Sequence, residues 1–85
     1  MKKSSDNNRA KDKDLIIAKA VGRVARKKRE KMEISQEMFS ELTGHHRTYI
    51  GLFERGERSP NVNTLDRIAK ALKTTASELL REAGY

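Results

Sequence analysis

The apolar residues of this 85-residue chain come in short groups, spaced at three and four, that glycine and polar residues interrupt. This spacing places the members of each group on one side of an α-helix, and no stretch alternates apolar and polar residues as a half-buried strand requires. Hydrophobic residues make up 35% of the chain and tryptophan is absent, which favours packed helices around one modest core. We therefore expect an all-α, compact five-helix domain.

The first predicted helix runs from about residue 14 to residue 31, and the second follows Ser35, a natural N-cap, and ends at Gly44. On a helical wheel, the first helix has an apolar half that includes one lysine, whose charged end is expected to extend outward. The members of this half are Ile16, Ile17, Ala20, Val21, Val24, Lys28 and Met32.

The remaining three helices are bounded by comparable signals. The third spans His46 to Arg55 and stops at Gly56, where a left-handed residue is expected and glycine adopts it without steric cost. The fourth follows Asn61 and covers about 12 residues. Thr75 is the expected cap of the fifth helix.

Residues 1–14 contain one apolar residue, Ala10, besides Met1. Such a segment buries too little apolar surface to offset the entropy of ordering. We expect a flexible, polar and basic arm over residues 1–14 and a single folded domain over residues 15–85.

The formal net charge is +7, and residues 15–35 carry seven basic against two acidic side chains. This excess favours a polyanionic partner, nucleic acid or an anionic membrane, although a solvated charged helix face is an equally good explanation.

Cysteine is absent, which argues against disulfides and thiolate metal sites and fits a cytoplasmic protein. The longest apolar run, Leu15 to Ala18, is far shorter than the roughly 20 residues that cross a bilayer.

The third predicted helix has two distinct faces. Tyr49, Ile50 and Phe53 share one arc, and the opposite arc combines a guanidinium, a hydroxyl, a glycine and a leucine. A helix fits the major groove of B-DNA, where an arginine near its N-terminus can bond guanine O6 and N7 together. The alternative is that Arg47 contacts a phosphate or a neighbouring acid. The outward arc consists of Arg47, Thr48, Gly51, Leu52 and Arg55.

The segment QEMFSELTGHHRTYIGLFERGERSP resembles the helix-turn-helix of Cro and lambda-repressor type regulators, and the resemblance covers about residues 20 to 80. The family's turn glycine falls on Gly44, and its buried positions fall on Ile50 and Phe53. The ending Glu54-Arg55-Gly56 is typical of the family. The block RTYIGLFERG is most similar to controller proteins of restriction-modification genes. The resemblance implies a lambda-repressor-like DNA-binding domain and a transcriptional regulator of its own operon or of restriction-modification genes.

The resemblance also implies roles for individual residues. Base reading is expected from His46, Arg47, Thr48, Tyr49 and Leu52, phosphate contacts from Gln36, Arg55 and Arg58, and a structural ion pair from Arg29 and Glu54. We further expect a homodimer on a pseudo-palindromic operator, with the last helix and tail as interface, because one small module seldom binds tightly alone. The expected dimer residues are Leu79, Leu80 and Tyr85. RNA polymerase is a further candidate partner.

Two histidines, His45 and His46, stand where the family has a small apolar residue and a serine or aspartate cap. Adjacent helical positions point about 100° apart and no third histidine exists, so we expect no metal, and no cofactor or small-molecule ligand. The sequence contains neither a phosphate-cradling glycine loop nor a nucleophile with a credible base, so we do not expect an enzyme. The alternative function is a protein-interaction module, such as an antitoxin or coactivator-like protein with the same fold.

Overall fold

The computed structural model describes the backbone of residues 2–85 and the side chains of residues 15–85. Its elements, in chain order, are five helices, and the described residues contain no strand. They are α1 (Lys2–Lys31), α2 (Gln36–Thr43), α3 (Arg47–Glu54), α4 (Val62–Ala71) and α5 (Ala76–Glu82). The predicted all-α, five-helix architecture is confirmed.

The helix ends follow the local chemistry of the sequence. Ser35, Asn61 and Thr75 each accept a hydrogen bond of 2.8–3.1 Å from the backbone N–H three residues ahead, at the starts of α2, α4 and α5. Gly44 and Gly56 follow α2 and α3 with φ of 77° and 75°, in the left-handed region where a side chain is strained. The caps at Ser35 and Thr75 and the two glycine stops are as predicted, whereas the cap at Asn61 was not predicted. The stop at Gly44 makes α2 and α3 a pair joined by a tight turn.

α1 begins at Lys2, well before the predicted start near residue 14. The predicted flexible arm falls on residues 1–14, whose side chains, together with the whole of Met1, lie outside the described residues. Its flexibility stays a prediction.

The buried side of α1 differs from the predicted apolar half. Ala18, Val21 and Ala25 are buried, whereas Ile16 and Ile17 are 58% and 43% exposed, so their predicted place in the core was wrong. The reason is a close approach to α3: a Cβ built on Gly22 would lie 2.2 Å from the carbonyl oxygen of Phe53. Only small residues permit this approach, and they turn the larger isoleucines away from α3.

The core lies where the five helices meet, and each helix contributes fully buried side chains to it. Leu79 is fully buried there, so this residue, predicted to lie in a dimer interface, packs instead against its own core. Its neighbour Leu80 is half-buried and Tyr85 is 61% exposed. The largest fully buried apolar side chains are Phe39, Phe53, Ile50, Ile68 and Leu79.

None of the helices in the part of the chain that the structure describes is both long enough and apolar enough to span a bilayer.

Ile50 is fully buried in α3, whereas Val62 at the start of α4 is 79% exposed. We expect Ile50→Ala to lower the free energy of unfolding by about 2–5 kcal/mol, because it removes buried methylene groups and leaves a cavity. Val62→Ala should change it by less than about 0.5 kcal/mol. Urea unfolding followed by circular dichroism measures both, and equal midpoints for the two variants would contradict the position of Ile50 in the core.

Candidate nucleic-acid interface

α2, the turn at Gly44 and α3 form a compact unit whose inner contacts are hydrogen-bonded. The Thr43 hydroxyl is buried, donates to the carbonyl oxygen of Phe39 at 3.0 Å, and accepts from the backbone N–H of His45 at 3.3 Å. This bond holds the chain where it leaves α2. The turn then directs α3 across α2 with one side toward the core and the other toward solvent.

The end of α3 is fixed by a buried ion pair. Arg29 of α1 donates to Glu54 through Nε at 2.7 Å and through Nη2 at 3.1 Å, and the two residues are 8% and 5% exposed. The third guanidinium nitrogen, Nη1, donates to the carbonyl oxygen of Ile34 at 2.8 Å. The predicted structural pair of Arg29 and Glu54 is confirmed, and the same guanidinium also holds the connection between α1 and α2.

Gln36, predicted to contact a phosphate, joins this pair from the first turn of α2. Its side-chain amide donates to Glu54 Oε1 at 3.0 Å, so it ties the start of α2 to the end of α3. This bond leaves donors for a phosphate, because the second N–H of the Gln36 side-chain amide and the backbone N–H groups of Gln36 and Glu37 at the start of α2 have no partner within the helix. That contact stays a prediction.

His46 has a role that sequence reasoning missed, because histidine is not among the usual capping residues. It is the N-cap of α3, and its Nδ1 accepts a hydrogen bond of 3.0 Å from the backbone N–H of Thr48. An accepting Nδ1 belongs to the neutral ring that carries its proton on Nε2. The exposed ring therefore offers a hydrogen-bond donor at the start of the helix.

Tyr49 stands between His45 and Arg58. The rings of His45 and Tyr49 stack with centroids 4.8 Å apart and an interplanar angle of 26°, and the Arg58 guanidinium carbon lies 5.6 Å from the Tyr49 ring centroid. Burial raises the pKa of the Tyr49 hydroxyl, and the charge of Arg58 acts in the opposite direction. The hydroxyl thus stays protonated at neutral pH. Arg58, a predicted phosphate contact, thus lies over the ring of Tyr49, a predicted base-reading residue.

The outer side of α3 bears most of the predicted contact residues. Arg47 and Thr48 are exposed near its N-terminus, and Leu52 is half-buried one turn later. Gly51, predicted on the outward arc, is buried. Arg55 points outward and pairs with Glu57 at 3.1 Å, with both side chains more than half exposed.

The outer side of α3 can bind a partner through hydrogen bonds and through positive charge. Within the described residues there is no group of three or more histidine, cysteine or acidic side chains arranged to hold a metal ion. The surface instead combines an imidazole donor, a guanidinium and a hydroxyl at the start of one helix. Such groups bond base edges and phosphate oxygens.

The family model for helix-turn-helix proteins of the HTH_3 type matches residues 26–79. The control protein C.SmaI of Serratia marcescens is 49% identical over 51 residues, which are 60% of this chain and 61% of that protein. The ImmF control region 10 kDa protein of Bacillus phage phi105 is 30% identical and is covered over 87% of its length by 84% of this chain. The chain thus spans less than two thirds of the Serratia protein and most of the phage protein.

Among solved structures, the restriction-modification controller protein C.AhdI from Aeromonas hydrophila superposes with a TM-score of 0.70 at 32% identity. The match covers 73% of this chain and 94% of that one. The resemblance to helix-turn-helix regulators, and to controller proteins in particular, is therefore confirmed.

Arg29 and Arg26 lie one helical turn apart on α1, and both pair with a glutamate, the first in the core and the second at the surface. Arg29→Ala should lower the free energy of unfolding by about 3–5 kcal/mol, because it leaves the Glu54 carboxylate buried without its counter-charge. Arg26→Ala, which breaks the exposed pair with Glu30, should cost about 1 kcal/mol or less. Chemical denaturation measures both losses, and similar values would show that burial of the Arg29 pair has no energetic consequence.

The cap at His46 gives a further stability prediction. His46→Ala should cost about 0.5–2 kcal/mol, because the Thr48 N–H loses its acceptor, and His46→Ser should restore most of the loss. Thermal unfolding of the three proteins tests this ordering. A serine variant as unstable as the alanine variant would contradict the capping role.

Proposed function

This chain belongs to the helix-turn-helix family, and on that premise we propose that it is a sequence-specific regulator of transcription that binds a pseudo-palindromic operator in double-stranded DNA as a homodimer. The observation that carries the proposal is the exposed N-terminal half of α3, held rigid by the buried pair of Arg29 and Glu54. A regulator needs such rigidity because a reading helix discriminates bases only if its side chains keep their positions.

Base reading falls to the side chains that α3 presents to solvent. Arg47 has the forked donor that matches guanine O6 and N7, and the Thr48 hydroxyl bonds either type of base edge. The outward Nε2–H of His46 supplies one donor of fixed position. Leu52 and Tyr49 complete the reading set, the leucine through apolar contact with a thymine methyl group.

Groups outside the N-terminal half of α3 position the protein on the duplex. Arg55 and Arg58 follow the helix, and Gln36 lies at the start of α2. The surface pair of Arg55 with Glu57 is exposed and therefore weak, so a phosphate can replace the carboxylate at little cost. These contacts fix the register of the protein without reading sequence.

We propose the homodimer because the domain is small and because its last residues offer apolar surface to a second copy. A single small module buries too little surface for tight specific binding, and two-fold symmetry places two reading helices about 34 Å apart on one face of the duplex. Leu80 and Tyr85 supply accessible apolar surface at the end of the chain, whereas Leu79 supports them from the core. Size-exclusion chromatography with light scattering tests the dimer, and a monomer at micromolar concentration would contradict it.

The regulated genes are proposed from the relatives. C.SmaI is named a control protein and C.AhdI a restriction-modification controller protein, and by analogy this chain controls restriction-modification genes or its own operon in the cytoplasm. Fold-level similarity alone does not transfer a target, so the target has to be found by binding. RNA polymerase is the partner expected of an activating regulator.

The direct test is selection of bound oligonucleotides from a random pool. An enriched motif with two inverted half-sites about one helical turn apart supports sequence reading and two-fold symmetry together. Absence of any enriched motif, with equal affinity for every duplex, contradicts the proposed function. Co-purification of a second protein with the chain from its host would instead favour the antitoxin or coactivator-like alternative.

Arg47 and Arg58 have different proposed roles, which binding measurements can separate. Arg47→Ala should cost about 1–3 kcal/mol on the selected operator and relax the preference at one base pair, because a base-edge contact is lost. Arg58→Ala should weaken binding to all sequences and reduce the slope of log K against log salt by about 1 for each protomer bound. Titrations at several salt concentrations measure both, and identical behaviour of the two variants would refute the division of roles.

A further inference from the structure

α1 carries a row of basic side chains that have no part in the base reading or the positioning proposed above. Lys19, Arg23 and Arg26 follow one another at intervals of four and three residues, so they lie on one side of the helix. All three are exposed. Together with Arg55 they form what we call the flank patch.

The flank patch borders the C-terminal end of α3. One shallow groove joins the row on α1 to the residues that end this helix and begin the following loop. It is lined by Lys19, Arg23, Arg26, Glu54, Arg55 and Glu57. The groove therefore connects the row on α1 with Arg55, which we propose as a phosphate contact at the edge of the reading surface.

The position of the row relative to α3 is fixed by backbone contact. A Cβ built on Gly56 would lie 2.5 Å from the Cα of Lys19, and one built on Gly22 would lie 2.2 Å from the carbonyl oxygen of Phe53. Distances this short leave no space for side chains between α1 and the end of α3. The row consequently moves with the reading helix as one rigid surface.

The acidic groups near the patch do not neutralise it. The carboxylate of Glu54 is buried against Arg29, and Arg55 and Arg26 each make an exposed ion pair of 3.1 Å, with Glu57 and Glu30. Such exposed pairs are weak, so a phosphate can replace either glutamate.

Lys19 and Arg23 form no ion pair with any side chain of residues 15–85. The patch is thus cationic, with two charges that no described side chain neutralises.

We propose that the flank patch binds phosphates of duplex DNA outside the half-site that α3 reads. The inference rests on the proposed function, since the same duplex supplies both sites. From Lys19 to Arg26 the helix rises about 10 Å, the axial length of about three base pairs, so a row that lies along the duplex is long enough to reach successive phosphates of one strand. These contacts add affinity whatever the flanking sequence, because phosphates carry no base information.

The test uses the selected operator in two duplexes, one ending at its outermost base pairs and one extended by about ten base pairs, one helical turn, on each side. The wild-type chain should bind the longer duplex more tightly, and Lys19→Ala/Arg23→Ala should abolish this difference while binding the short duplex unchanged. The dimer loses two basic side chains from each protomer, so on the longer duplex the salt slope should fall by about 4, which is about a hundredfold in affinity between 50 and 200 mM salt.

The matched control is Arg67→Ala/Lys70→Ala, which removes the same charge from the exposed side of α4. It should keep the full gain on the longer duplex, and thermal unfolding should show that both double variants retain the wild-type midpoint. The flank patch is refuted if its variant keeps that gain, loses affinity equally on both duplexes, or behaves like the control. In each of these cases the proposed function still holds if the wild-type chain binds the short duplex. If the wild-type chain does not bind the short duplex, the proposed function is overturned.

Discussion

The buried contact between Arg29 and Glu54 joins three helices at one point. The arginine reaches from α1 to the end of α3 and to the carbonyl oxygen of Ile34, while Gln36 adds a bond from the start of α2. A buried pair of this kind gains little net stability, because desolvation offsets most of the attraction. Its effect is geometric, since any other placement of α3 would leave a charge in the core without a partner. The reading surface therefore has one position relative to the body of the domain.

The same junction depends on small residues. Gly22 lets α1 approach the backbone of α3, and Ala18 and Ala25 continue this narrow contact along the helix. A narrow contact surface leaves much of the circumference of α1 in solvent, which is why Ile16 and Ile17 are exposed. Packing and charge are thus linked: the glycine that closes the junction also brings the cationic side of α1 to the end of α3.

The parts that the sequence predicted are those that local chemistry determines. The caps at Ser35 and Thr75 and the left-handed stop at Gly44 depend on a few neighbouring atoms, so they could be identified from residue type and spacing. The buried side of α1 could not, because adjacent arcs of the wheel are similarly apolar and the tertiary contact at Gly22 decides between them. Leu79 was misplaced for the same reason, since only the packed structure shows which of two neighbouring leucines turns inward. The capping role of His46 was missed because residue preferences for that position do not include histidine.

The candidate site combines rigid and exchangeable contacts, and the difference between them determines how binding would respond to conditions. The buried pair is out of reach of salt, whereas Arg55 and Arg26 make exposed pairs that mobile ions and phosphates compete for. When a phosphate replaces a surface glutamate, the protein gives up about 1 kcal/mol or less and the duplex releases a condensed counterion. In the proposed complex, affinity would be set by the salt concentration and by the number of basic side chains in reach, and base preference would be set by the few groups that α3 holds in place. Because the two sets occupy different elements, α1 and the loop after α3 on one side and the start of α3 on the other, one can change in sequence without displacing the other.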